Sequence, residues 1–163
     1  MRQAGTAVNV GHSEALAFGS GGKKLATAGA DGRIRLWDAA TQQEVGPPMT
    51  AAPAPVYALA FSPDGRTLAT AGADGNVRIW DVATQQEIGP PMTAGPAPVY
   101  ALAFSPDGRA LAAASSGATR RWDVAFPASL TAAACALAGQ TLTARQWASY
   151  AGAEPFQQVC PAG

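Results

Sequence analysis

The chain has 163 residues, 48% of them apolar and only 13% charged, and its eleven acidic and eleven basic side chains cancel at pH 7. Charged content is about half the roughly 25% usual in soluble domains, yet no stretch approaches the ~18 uninterrupted apolar residues needed to cross a membrane. A soluble chain with a buried core is expected, and the lack of a basic surplus argues against binding a phosphate backbone.

The N-terminus, Met1-Arg2-Gln3-Ala4-Gly5, has no apolar stretch of the signal-peptide kind, so a cytoplasmic location is expected. His12 is the single histidine. Any Ser-His-Asp or Cys-His nucleophile, or any His-rich metal site, would have to use it.

Self-comparison gives the dominant signal. Phe18, Phe61 and Phe104 lie 43 residues apart, and Trp37, Trp80 and Trp122 follow at spacings of 43 and 42. The units run over about 7–39, 40–82 and 83–124. Residues 40–68 and 83–111 agree at 26 of 29 positions, differing only at Val45/Ile88, Ala52/Gly95 and Thr67/Ala110.

Within a unit, Val56-Tyr57-Ala58-Leu59-Ala60-Phe61 is a short run apolar on both faces, closed by the turn Ser62-Pro63-Asp64-Gly65. Thr67 to Ala71 gives a second strand, Asp74-Gly75 a turn, and Asn76 to Trp80 a third strand rich in β-branched and aromatic residues. A fourth strand is expected at Glu87-Ile88-Gly89, with Pro90-Pro91 confining it to an edge. Four short strands per period make a propeller blade.

The runs Ala-Phe-Ser-Pro-Asp-Gly-Arg (60–66 and 103–109), Ala-Gly-Ala-Asp-Gly (28–32 and 71–75) and Trp-Asp (37–38, 80–81 and 122–123) resemble WD40 repeats over residues 7–124. The resemblance implies an all-β partial propeller of three four-stranded antiparallel blades. It also implies a buried network in each blade, joining the Asp of the second hairpin, a His before the first strand, a Ser or Thr of the second strand and the Trp indole. In this sequence Thr27, Asp31 and Trp37 hold those positions in copy one, Thr70, Asp74 and Trp80 in copy two, and Trp122 in copy three.

The departures are specific. Ala51-Ala52 and Ala94-Gly95 replace the family's Gly-His, and His12, three places out of register, reads either as a shifted network member or as a loop residue. In copy three Ala113 replaces Thr70, Ser116 replaces Asp74, and one turn residue is deleted. Arg121 stands where Ile79 stood, and an unpaired cation between blades would be costly, so this face is expected to meet solvent or a partner.

Three blades cannot close a ring, because closed propellers use four to eight. More blades in a larger protein, a homo-oligomer or the tail must therefore cover the ends. The tail, 125–163, carries helix signals: Thr131 ahead of Ala132 to Ala138 with Gly139 as the stop, and Thr143-x-x-Gln146 as a capping box. Its Leu142, Trp147, Tyr150 and Phe156 pattern resembles the C-terminal end of actinobacterial WD40 proteins fused to STAND-type NTPases or protein kinases. Cys135 and Cys160 bracket both helices and either form a disulfide, worth roughly 3 kcal/mol by loop closure, or stay reduced in the cytoplasm.

Catalytic readings are weak. Gly19 to Lys24 lacks the hydroxyl after Lys23 that a phosphate loop requires and aligns with the Ser62 hairpin. Asp38, Asp81 and Asp123 recur once per unit, but structural bonding is favoured over a metal ring. Arg33, Arg35, Arg78 and Arg120 have aspartates nearby in sequence and read as a solvated face. A non-enzymatic protein-interaction scaffold is therefore expected, presenting Asp31, Asp74 and the neighbouring loops to an unidentified protein partner, with no cofactor, metal or nucleic acid. The alternatives are a regulatory segment of a larger NTPase or kinase and, less favoured, a propeller-type hydrolase.

Overall fold

A computed structural model of the chain describes residues 13–124, which form eleven strands in three antiparallel sheets. Sheet one contains β1 (Ser13–Phe18), β2 (Lys24–Gly29), β3 (Arg33–Asp38) and β4 (Met49–Thr50). Sheet two contains β5 (Val56–Phe61), β6 (Thr67–Gly72), β7 (Asn76–Asp81) and β8 (Met92–Thr93), and sheet three β9 (Val99–Phe104), β10 (Ala110–Ser115) and β11 (Ala118–Asp123). Each strand pairs with its neighbour in sequence, so the sheets are simple meanders.

Two expectations are corrected. The fourth strand is Met92–Thr93, paired with Val77 and Asn76, while Glu87 makes only an isolated bridge to Trp80. Pairing begins with Ile88 N donating to Ile79 O at 2.7 Å, then breaks at Gly89, where φ is +72°. Pro90 and Pro91 next offer no N–H donor, and the ladder resumes only beyond them. Sheet three, moreover, has three strands rather than four among the described residues.

The sheets are also out of phase with the sequence units. Met49–Thr50 falls in unit 40–82 yet pairs with Arg33 and Ile34 of sheet one. The helices expected in the tail, with His12, Cys135 and Cys160, lie outside the described residues.

In sheets two and three the turn after the first strand is a side-chain device. Ser62 Oγ donates to Asp64 Oδ1 (2.5 Å) and accepts from Thr67 N (3.0 Å), and Asp64 Oδ1 also accepts from Arg66 N (3.0 Å). Ser105 and Asp107 repeat the arrangement in sheet three. Copy one replaces it with a 3-10 turn at Ser20–Gly22 closed by Gly19 N to Lys24 O (2.8 Å), so the glycine-rich segment links two antiparallel strands.

Strand alternation gives every sheet two faces of different shape. One carries small and branched residues: Ala26, Ala28, Ile34 and Leu36 in sheet one, Ala69, Ala71, Val77 and Ile79 in sheet two, all buried. The other carries large ones: Leu59, Phe61, Leu68 and Trp80 in sheet two, Leu102, Phe104, Leu111 and Trp122 in sheet three. Sheet two's large face packs on sheet one's small face, and sheet three's large face on sheet two's small face, giving two core clusters. Each fully buried Leu, Ile or Val contributes about 1.5–3 kcal/mol. The sheets approach most closely through their first strands, β1 against β5 and β5 against β9.

Candidate functional site

The repeat network takes a reduced form. Trp37 Nε1 donates to Thr27 Oγ1 at 2.9 Å, and Trp80 Nε1 to Thr70 Oγ1 at 3.0 Å. Both threonines are buried, and a buried indole N–H without an acceptor would cost about 1–3 kcal/mol. Trp122, facing Leu111 across the ladder and close to Ala113, has no such partner among the described residues.

The aspartates do not join these pairs, which corrects the expected four-part network. Asp31 Oδ2 pairs with Arg35 (3.1 Å) and its Oδ1 accepts from Arg33 N (3.1 Å). Asp74 pairs with Arg78 (2.8 Å) and accepts from Asn76 N (3.1 Å), with Glu87 3.8 Å from the same arginine. The cause is cross-strand placement. Arg35 lies opposite Thr27 and Arg78 opposite Thr70 in the ladders, and each of these arginines pairs with the turn carboxylate four residues before it.

Partial burial works against the charge on Asp31 and Asp74. At Asp31 it is outweighed by the Arg33 N–H and Arg35, at Asp74 by Arg78 and Asn76, so both carboxyls titrate below the ordinary value. In sheet three Ser116 replaces the aspartate, and Arg120 has no carboxylate partner among the described residues. Arg121 is 72% exposed beside Asp123 at 3.2 Å, in line with a face that meets solvent or a partner.

Asp38 and Asp81 close the turn after the third strand. Asp38 Oδ1 accepts from Ala40 N (2.9 Å) and Thr41 N (2.8 Å), and Asp81 Oδ1 from Ala83 N (2.9 Å) and Thr84 N (2.7 Å). The N–H groups of Thr41 and Thr84 foremost hold these carboxyls below their usual range. The Trp-Asp aspartates of sheets one and two are thus spent on local structure.

A groove along the first strands of the sheets was not read from the sequence. In all three sheets the pairing of the first strand slips by one residue near its start, between Ser13 and Ala15, between Val56 and Ala58, and between Val99 and Ala101. The residue skipped is Glu14, Tyr57 or Tyr100, and bulges of this kind re-aim side chains beside binding sites.

Tyr57 and Tyr100 stack with ring centroids 5.6 Å apart and planes at 16°. Tyr100 is 57% exposed. An open groove across β1, β5 and β9 is lined by these rings, by Glu14, and by the adjoining Leu and Ala residues. The signal was present as a 43-residue register, but the run around Tyr57 looked like plain core on both faces.

Among the described residues no helix is long and apolar enough to cross a membrane. No curated protein matches the sequence. A family model described as WD domain, G-beta repeat matches residues 5–38, 48–81 and 90–123, each match ending on the Trp-Asp pair. With the three meander sheets, the Trp–Thr bonds and the Asp-closed turns in place, the chain belongs to the WD40 repeat family.

Proposed function

We propose that this chain is a non-enzymatic protein-interaction module whose binding surface is the groove across the three first strands. The observation that carries this reading is the Tyr57–Tyr100 stack, open to solvent beside Glu14 and placed there by a repeated slip in strand pairing. Tyrosines supply large, rigid contact area at interfaces, and ring faces next to a carboxylate favour a Lys or Arg side chain. An extended peptide carrying one basic residue fits this chemistry.

The test is selection of peptides from a display library on the full chain, followed by binding to the Tyr57→Ala/Tyr100→Ala variant. Selected peptides should carry a basic residue and lose at least tenfold in affinity on the variant. Undiminished binding would remove the groove as the site.

A second reading, a regulatory segment of a larger bacterial STAND-type NTPase or kinase, is supported by the resemblance of residues 125–163. An upstream coding frame containing further 43-residue repeats and a nucleotide-binding domain would establish it. Both readings place the chain in the cytoplasm and require no nucleic acid.

A further inference from the structure

The tyrosine stack stops one layer short of the repeat that builds it. Strand β5 packs against β1 on one side and β9 on the other. Tyr100 covers the β9 side of the Tyr57 ring, with centroids 5.6 Å apart and planes at 16°. The other side of the half-buried Tyr57 is turned toward β1. There the residue at the same pairing slip, where a further ring would continue the stack, is the exposed Glu14. Copy one therefore places a carboxylate where copies two and three place a ring.

The space between that carboxylate and the free face of Tyr57 belongs to the groove, which both residues line. Glu14 is the only charged side chain in the lining among the described residues, and apart from the two tyrosines the remainder is Ala and Leu. A ligand group seated there meets a ring on its face, a single negative charge at its edge and apolar surface alongside.

We propose, on the footing that the groove is the binding surface, that the basic residue it takes is an arginine, whose guanidinium forms the next layer on Tyr57 and pairs through its edge with Glu14. The two biological cations differ in what they can do here. A guanidinium is planar and weakly hydrated, so its face can rest on a ring while parallel N–H donors meet a carboxylate. An ammonium is a compact, strongly hydrated charge, and reaching both ring and carboxylate strips it of water that an open groove does not replace. The ion pair does not discriminate, because an exposed pair is weak, screened by salt and open to either cation. Selectivity for arginine comes from the ring, and Glu14 fixes the side of the stack on which it sits.

The experiment changes the basic residue of peptides selected on the full chain to Arg, Lys or citrulline, which keeps the plane and loses the charge. The arginine form should bind about tenfold more tightly than either of the others. Glu14→Gln should weaken the arginine and lysine forms alike and leave the preference between them in place. Arginine and lysine forms bound equally well, by a chain whose binding Tyr57→Ala/Tyr100→Ala still abolishes, overturn the proposal and leave the groove standing. Binding that survives the double tyrosine change removes the groove and the proposal together.

Should selection yield no peptide, the N-acetyl N-methylamides of arginine and lysine decide, titrated onto the full chain while the tyrosine ring resonances are followed by NMR. The arginine amide should shift the Tyr57 ring signals at lower concentration than the lysine amide. Equal shifts from the two, or none from either, overturn the proposal.

Discussion

Sheets two and three start from almost the same sequence and part company after Leu111. Up to that point the correspondence reaches atomic detail: Ser62–Asp64 and Ser105–Asp107 form the same 2.5 Å turn bond, and Val56 and Val99 begin equivalent strands. Past it, sheet three loses the threonine under its tryptophan, the aspartate beside its arginine, and the aliphatic on its outer face. The backbone pairing of β10 with β11 nevertheless runs unbroken from Ala110–Asp123 to Ser115–Ala118. Strand pairing and one packed face suffice to hold the sheet, so the Thr–Trp bond and the Asp–Arg pair refine a structure that they do not create.

The largest effect separating the two sheets should come from their second turns. Gly75 has φ +70°, and an added Cβ would overlap the carbonyl oxygen of Gly95, while Gly117 has φ +90° and open space around it. Gly75→Ala should cost more than about 3 kcal/mol, combining strain with a backbone clash, and Gly117→Ala only about 1 kcal/mol. Chemical denaturation of both variants measures the gap.

Next comes the indole bond. Thr70→Ala should destabilise by about 1–3 kcal/mol because Trp80 keeps a buried, unpaired N–H, and the reverse change Ala113→Thr should stabilise by up to about 1 kcal/mol by giving Trp122 an acceptor. A Thr70→Val variant as stable as wild type, with no gain at position 113, would show that the bond itself contributes little.

The ion pair ranks third. Asp74→Asn should cost about 0.5–1 kcal/mol at neutral pH, since the Asp74–Arg78 pair is partly exposed and screened. Because Asp74 titrates below its ordinary value of 3.8, its contribution is complete above the unfolded value and fades as pH falls through the lower folded one. The wild-type and Asp74→Asn stability curves should therefore converge as the pH falls below 3.8 and through the lower folded value, a separation readable from denaturation midpoints against pH.

The smallest effect is expected at Thr67, whose buried Oγ1 has no hydrogen-bond partner. Copy three has Ala110 there, and Thr67→Val should be neutral or stabilising by less than about 0.5 kcal/mol in a thermal melt.

The three main strands of each unit were legible in the sequence because turn residues and β-branched runs alternate at a fixed period. So was the ten-residue separation of Thr and Trp, which becomes a bond between neighbouring strands of one sheet. The fourth strand was misplaced because Ile88 does pair with Ile79, and only the backbone of Gly89 and two prolines decides where pairing resumes. Asp31 and Asp74 fall to the indole network on the family resemblance alone, whereas the arginines four residues on, Arg35 and Arg78, are the groups they pair with. The tyrosine groove stayed hidden because a one-residue slip in register turns a side chain without leaving a mark on composition.

Met49–Thr50 completes the sheet that precedes its own repeat, and Met92–Thr93 does the same. A tandem duplication can consequently begin at any point of the period and still regenerate both a whole sheet and the seam that fastens it, whereas a deletion of part of a period damages two sheets at once. The stretch shared by 40–68 and 83–111 straddles that seam and does not coincide with either sheet, so what copies faithfully from one unit to the next is the joint between sheets. Apart from single turn residues such as the one missing from copy three, a protein assembled this way lengthens or shortens in whole repeats.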